Sequence, residues 1–181
     1  MCGIYGMVGA SAGEIVPRMS AALVHRGPDA DGATARNGAM LGCRRLAIVD
    51  VAGGAQPVTN ESGDVVAVCN GEIYNHAALR RELIARGHRF RTSSDAEVVP
   101  HLYEERGPAF VDALDGMFGI AVWDVCAAAT RPGSESGRKQ ESGVPRGETT
   151  RIEAKKMGLI WPIGGNGGIR TLDEALHPIL P

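Results

Sequence analysis

No C-x-x-C pair occurs among the four cysteines, Cys2, Cys43, Cys69 and Cys126. That absence excludes a zinc ribbon and a dense disulfide framework, and it predicts a reducing, cytoplasmic setting. Excess charge of either sign is also missing: 19 Lys and Arg face 21 Asp and Glu, a formal net charge of −2. Without a basic field the chain is not drawn to nucleic acid or to anionic lipid, and neither is predicted as a partner. No window approaches the ~18–20 apolar residues of a membrane span. The first residues, MCGIYGMVGASAGE, lack a basic segment followed by an apolar run. A soluble, unexported protein is expected. His25, His76, His88 and His101 show no metal-ligand spacing, which predicts surface or packing roles for them. What is present, 181 residues of which 44% are hydrophobic, supports the core of one domain or of a domain with an appendage. Small-molecule chemistry is the class that these exclusions leave.

Composition changes abruptly after Asp124. Residues 1–124 hold 11 Lys and Arg against 15 Asp and Glu, whereas residues 125–181 hold 8 against 6, with 14 Gly and Pro. Gly and Pro interrupt CAAATRPGSESGRKQESGVPRGETTR every few positions, a pattern of unstructured chain. Residues 125–181 are therefore expected to be an unrelated, disordered tail, with one short helical turn at Asp173–His177 closed by Pro178. The break reads as a shift of reading frame.

The front part alternates strands and helices. Apolar runs predict strands at Ile4–Val8, Ala39–Leu41, Leu46–Val49, Val65–Cys69 and Met117–Trp123, with Asn70-Gly71 ending the fourth. Helical spacing predicts Pro17–His25, stopped by Gly27-Pro28, and His76–Arg86, capped by Asn75 with Leu79, Leu83 and Ile84 on its inner face. Ser94-Asp95-Ala96-Glu97 has the form of a capping box opening a helix through Glu105. Pro100 then falls past the first turn, which costs up to ~3 kcal/mol unless the helix starts later. The pattern is that of a sheet-rich α+β core.

Cys2 is the sharpest chemical feature. Removal of Met1 leaves a thiol and a free α-amine on one residue, and an amine of pKa near ~8 is neutral often enough to activate the thiol directly or through water. Packing alone is the other reading of a cysteine at this position. The following Gly3-Ile4-Tyr5-Gly6 favours the nucleophile, because glycine admits a substrate carbonyl and a strand holds the terminus rigidly.

Seven segments then occur in one order: MCGI at the start, HRGPD at His25–Asp29, RRLAIVD at Arg44–Asp50, GAQPV at Gly54–Val58, NGEIYN at Asn70–Asn75, SSDAEV at Ser93–Val98 and LDGMFGIAVWD at Leu114–Asp124. Over residues 1–124 this resembles the glutaminase domain of glutamine-dependent asparagine synthetases, which are class II glutamine amidotransferases. The resemblance implies a four-layer αββα sandwich of the N-terminal nucleophile hydrolase type, incomplete here at its C-terminal side. It also implies glutamine as substrate. Cys2 would attack the side-chain amide, giving a γ-glutamyl thioester and ammonia, and water would release glutamate. The Asn70 side chain and the Gly71 N–H would form the oxyanion hole. Arg45 would grip the substrate carboxylate bidentately, while Asp95 and Glu72 would receive its ammonium. The backbone of Leu46, Ala47, Ile48 and Val49 would line the same pocket, and Arg26 would turn the chain behind it. Cys43 stands where the family usually has His in GHRRL, so no role carries over to it.

The resemblance also shows what is missing. The family's synthetase part carries an S-G-G-x-D-S type pyrophosphate loop, and neither that loop nor a P-loop is found here. ATP and Mg would belong to that absent part, the glutaminase step needing no cofactor and no metal. The ammonia-acceptor domain is absent, and the R-D-x-x-G-x-K-P-L-Y type segment expected after Asp124 is replaced. An unpaired sheet edge is the physical consequence. Two expectations follow: a glutaminase part of an asparagine synthetase-like or other class II amidotransferase, or a truncated, non-catalytic fragment of one.

Overall fold

The computed structural model describes residues 2–9 and 12–126, together with a strand at Met157–Ile160. Three antiparallel strands form a first sheet in the order β1 (Gly3–Val8), β3 (Ala39–Arg45), β2 (Ala30–Arg36). Four form a second: β4 (Val58–Thr59), β5 (Val65–Ile73), β6 (Gly116–Asp124) and β7 (Met157–Ile160). α1 (Ala12–Ala22) packs against β1 and β3. α2 (His76–Ala85) and α3 (Val98–Arg106), with the 3-10 turns Asp95–Glu97 and Gly107–Ala113, cover the far face of the second sheet. The layers are therefore helix, sheet, sheet, helices, the αββα sandwich expected.

The two-residue period of a strand explains the two cores. On β5, Val66 and Val68 face the first sheet and pack with Ala39, Leu41 and Cys43 of β3 and Ala121 and Trp123 of β6. The alternate residues Val65, Ala67 and Cys69 face the helices and pack with Leu79, Leu83, Val98, Val99, Leu102 and Phe110. Followed along the strands, the inter-sheet layer changes character. It is apolar around Val66 and Trp123, while Asn70 and Glu72 on β5, Arg45 on β3 and Cys2 ahead of β1 hold the same parity at its other end. That polar end is where a site can form.

Several local expectations are corrected. β3 is one strand through Arg45, where Arg44 pairs with both β1 and β2 and Arg45 with β2 alone, and residues 46–48 leave it as irregular chain. Asn70-Gly71 does not end β5, which runs on to Ile73 opposite Gly116. Strand β2 was not foreseen, since its sequence, ADGATAR, is small and polar at an exposed edge. α1 starts before Pro17, which lies inside it. The Asn75 side chain makes no cap bond and instead donates to the Ala113 carbonyl (2.8 Å) and accepts from the Asp115 N–H (3.0 Å). Ile84 is exposed, whereas Leu79 and Leu83 are buried. Ser94 does cap, accepting from the Ala96 N–H, but over the short 3-10 turn; α3 proper begins at Val98, so Pro100 sits in a first turn that needs no bond from it. Met157–Ile160, inside the segment assigned to the tail, pairs with β6 from Ile120 to Trp123, taking the edge that would otherwise be open. The helical turn expected at Asp173–His177 and the rest of that segment lie outside the described residues. Among the described residues no helix is long and apolar enough to cross a membrane.

Glu97 is not the partner of Ser94 in a capping box. Its buried carboxylate accepts from the Arg91 N–H (2.6 Å), the Thr92 N–H (2.8 Å) and the Thr92 hydroxyl (2.6 Å), with Arg80 at 3.8 Å. Arg80 also donates to the Thr92 carbonyl and stacks on Phe90, its guanidinium 4.3 Å from the ring centre. This network fixes the loop leading to Asp95. Glu97→Ala would strand two backbone donors and one cation, so a loss of about 3 kcal/mol is expected, read as a fall in Tm of roughly 6–12 °C by calorimetry.

Candidate active site

A cavity of about 180 Å³ opens at the polar end of the sandwich. It is smaller than the ~300–1,000 Å³ of sites for drug-sized ligands, which suits a single small substrate. Cys2, Arg45, Leu46, Ile48, Val49, Gly71, Glu72 and Asp95 line it, as do Gln56, Ser94 and Met117. Ala47 does not; its N–H donates to Asp29 (2.8 Å) and anchors the segment from outside. Asn70 is not a lining residue either. Its side chain has the inter-sheet parity of Glu72, and its Oδ1 is buried.

Cys2 is half-buried at the mouth of the inter-sheet core. Arg26 holds its carbonyl (Nε to O, 3.3 Å). The Cys2 sulfur accepts from the Leu46 N–H at 3.4 Å and faces the Leu46 carbonyl at 3.7 Å. The register pairs Ile4 with Cys43, and the inward faces of β1 and β3 place Cys43 and Cys2 in the same inter-sheet cluster. Hydrogen bonding by Cys43 is the largest influence on Cys2 and lowers its pKa to about 6; burial opposes it, and Leu46, the positive chain terminus and Arg45 assist. The bond to Cys2, reinforced by burial, pushes Cys43 far up. Cys43 therefore keeps its proton beside Cys2. No sequence motif signals this pairing, because Cys43 departs from the family residue and only strand register brings it there.

Cys43→Ala is expected to move the midpoint of Cys2 alkylation by iodoacetamide upward from about pH 6 toward the ordinary thiol range. A thiol whose pKa is lowered reacts fully above that value and loses reactivity as pH falls through it. At pH 6.5 the variant should alkylate several-fold more slowly than the parent, while at pH 9.5 the two converge. An unshifted midpoint would show that Cys43 does not stabilise the thiolate.

Arg45, the last residue of β3, is buried, and its guanidinium is occupied on one side. It donates to the carbonyls of Val49 (2.8 Å), Asp50 (2.6 Å) and Val51 (3.1 Å). Three of its five N–H donors are so used, which shapes the 46–51 segment around the cavity and leaves two for a ligand anion. A Cβ at Gly54 would lie 2.7 Å from this guanidinium, so the loop closes on Arg45 only with glycine there. Asp50 holds a left-handed backbone conformation (φ 48°) and accepts from the N–H groups of Gly53 (3.0 Å) and Ser93 (2.8 Å). These bonds, Ser93 first, hold its carboxyl below the usual range.

Asp95 is buried at the cavity, with Oδ2 accepting from the Ile73 N–H (2.9 Å) and Oδ1 3.5 Å from the Ser94 hydroxyl. Glu72 lines the cavity while exposed to solvent. A cation, two carboxylates and a thiol thus share one small cavity, the polarity an α-amino acid requires. Gln56 closes the remaining side by imitating a strand: it donates to the Cys69 carbonyl (3.0 Å) and accepts from the Cys69 N–H (2.6 Å). Gln56, Ser94 and Met117 fall within the GAQPV, SSDAEV and LDGMFG segments, so their signal was present without a role attached.

The model of the glutamine amidotransferase domain matches residues 1–130. Over 139 residues the chain is 46% identical to a glutamine-hydrolysing asparagine synthetase of Asparagus officinalis, covering 72% of this chain and 23% of that protein. It is 42% identical over 131 residues to glutamine-hydrolysing asparagine synthetase 2 of Bacillus subtilis (strain 168), covering 68% and 17%. The chain spans less than a quarter of the length of these relatives. A solved structure described as the allosteric regulatory enzyme of purine biosynthesis shares the fold, with a TM-score of 0.56 at 21% identity over 67% of this chain and 35% of that one. With a cysteine at the mouth of its cavity and a family match over most of its length, the chain belongs to the glutamine amidotransferase domain family.

Proposed function

We propose that this chain hydrolyses glutamine to glutamate and ammonia, with Cys2 as nucleophile once Met1 is removed. The observation that carries the proposal is the cavity in which Cys2, Arg45, Glu72 and Asp95 converge. The substrate carboxylate takes a free N–H of Arg45, and the ammonium sits between Asp95 and Glu72. The side-chain amide then reaches Cys2. The Cys2 thiolate attacks the amide carbon, the C–N bond breaks, and the protonated Cys2 α-amine gives its proton to the departing ammonia. Charge that develops on the amide oxygen is met by the Asn70 side chain and the Gly71 N–H. Water cleaves the thioester and releases glutamate.

This step calls for no cofactor. The names of the relatives favour asparagine synthesis as the destination of the ammonia, with ATP and Mg acting in a synthetase part beyond this chain. The cytoplasm, where thiols stay reduced, is the setting that an active Cys2 requires. The test is release of glutamate and ammonia in equal amounts from glutamine by the full chain, with Met1 loss verified by mass. A cooperatively melting sample that releases neither would overturn the proposal and favour the non-catalytic reading.

A further inference from the structure

On the helical side of the second sheet, away from the cavity lining, four side chains from three parts of the chain meet. Glu61 comes from the turn between β4 and β5, His88 from the chain just after α2, and His101 and Glu104 from one face of α3, three residues apart. One potential ligand atom of each lies within 4.8 Å of all the others. The Glu61 carboxylate is 3.3 Å from His88 Nδ1 and 3.2 Å from His101 Nδ1. His101 is fully buried, yet neither of its ring nitrogens makes a hydrogen bond, the Glu61 contact being off hydrogen-bond geometry. A buried imidazole without a bond is costly to a fold unless something else takes its lone pair.

We propose that Glu61, His88, His101 and Glu104 form a zinc(II) site. Two imidazole nitrogens and two carboxylate oxygens are a donor set zinc accepts, and two carboxylates balance its charge. Bonds of about 2.0–2.1 Å set tetrahedral donor atoms about 3.3 Å apart. The observed spread therefore closes by a small rotation of Glu61 and Glu104, both of which reach solvent. The surroundings of His88, Glu61 and Glu104 are ordered as a metal site demands. His88 turns its other nitrogen to Glu105 (3.1 Å), Glu61 accepts from the Arg89 N–H (2.6 Å), and Glu104 accepts from the buried Asn60 amide (3.0 Å). A carboxylate behind a ligating histidine fixes its tautomer and direction. Four protein ligands leave no open position, so the site is structural: it ties the β4–β5 turn, the end of α2 and α3 together.

The experiment is titration of the full, chelator-treated chain with cobalt(II), which reports zinc geometry in its visible spectrum, followed by displacement with zinc. One saturable equivalent with tetrahedral bands and no thiolate charge-transfer band is expected, with a Tm that rises as zinc is added. His88→Gln and Glu104→Gln, both at partly exposed positions, should weaken binding by more than 100-fold. Glu105→Gln, which touches only the outer shell, should weaken it about 10–100-fold. Three results would each overturn the proposal: no saturable equivalent, a thiolate band that places the metal on the cysteines, or uptake unchanged in both ligand variants. None of these readouts depends on glutaminase activity.

Discussion

Glutamate release should fall by at least about 10⁴-fold in Cys2→Ala, which corresponds to about 5.5 kcal/mol of lost barrier stabilisation. The size follows from the chemistry. Without sulfur no thioester forms, so only binding and the oxyanion donors remain. Glutamine binding should survive, because Arg45, Glu72 and Asp95 are untouched, and calorimetric titration of the variant with glutamine would show it. The fold should survive as well, since Cys2 is only partly buried and precedes the first ladder residue of β1. Turnover that persists in Cys2→Ala would mean that another group performs the attack, and the assignment of the cavity would fail with it.

Gly71→Ala should be the most damaging single-methyl change in the site. Gly71 has φ 139°, and a Cβ there would lie 1.9 Å from the Met117 carbonyl oxygen and 2.6 Å from the Phe118 Cα. Both neighbours are backbone of β6, held by the ladder that pairs Gly71 with Phe118, so neither can swing aside. Backbone strain of about 1–3 kcal/mol adds to overpacking of about 1–3 kcal/mol. A Tm lowered by roughly 4–24 °C is expected in calorimetry, at about 2–4 °C per kcal/mol. Activity should be lost even at temperatures where the variant remains folded, because displacing residue 71 moves the N–H assigned to the amide oxygen. A variant with unchanged Tm would show that β5 and β6 are not packed this closely.

Much of the site was legible because the motifs are contiguous. RRLAIVD holds Arg45 with Leu46, Ile48 and Val49, NGEIYN holds Gly71 with Glu72, and SSDAEV holds Ser94 with Asp95; each short run delivers two or more of the residues lining one cavity. The helices were legible in part. The 3.6-residue period of α2 identifies Leu79 and Leu83, but it cannot say that the sheet stops short of Ile84. Capping residues misled for a common reason: Asn75 and Glu97 have local partners in sequence but better ones in space. Asn75 bonds to Ala113 and Asp115, and Glu97 to Arg91 and Thr92, because buried backbone donors and acceptors at those points must be satisfied by something. β2 was invisible, since an edge strand of small polar residues has no apolar alternation to detect.

The sequence by itself determined the order of the motifs, the layers they imply and most of the amino acids that line the cavity. Those features rest on residue identity within short segments, where chemistry and local period are enough. Only the tertiary structure decided what surrounds them. Cys43 reaches Cys2 through the register of β1 on β3, Arg45 is turned partly inward by three carbonyls of the following loop, and Glu61, His88, His101 and Glu104 meet across a sequence span of more than forty positions. Such meetings depend on strand register and helix packing, which are settled by burial over the whole chain rather than by any one segment of it.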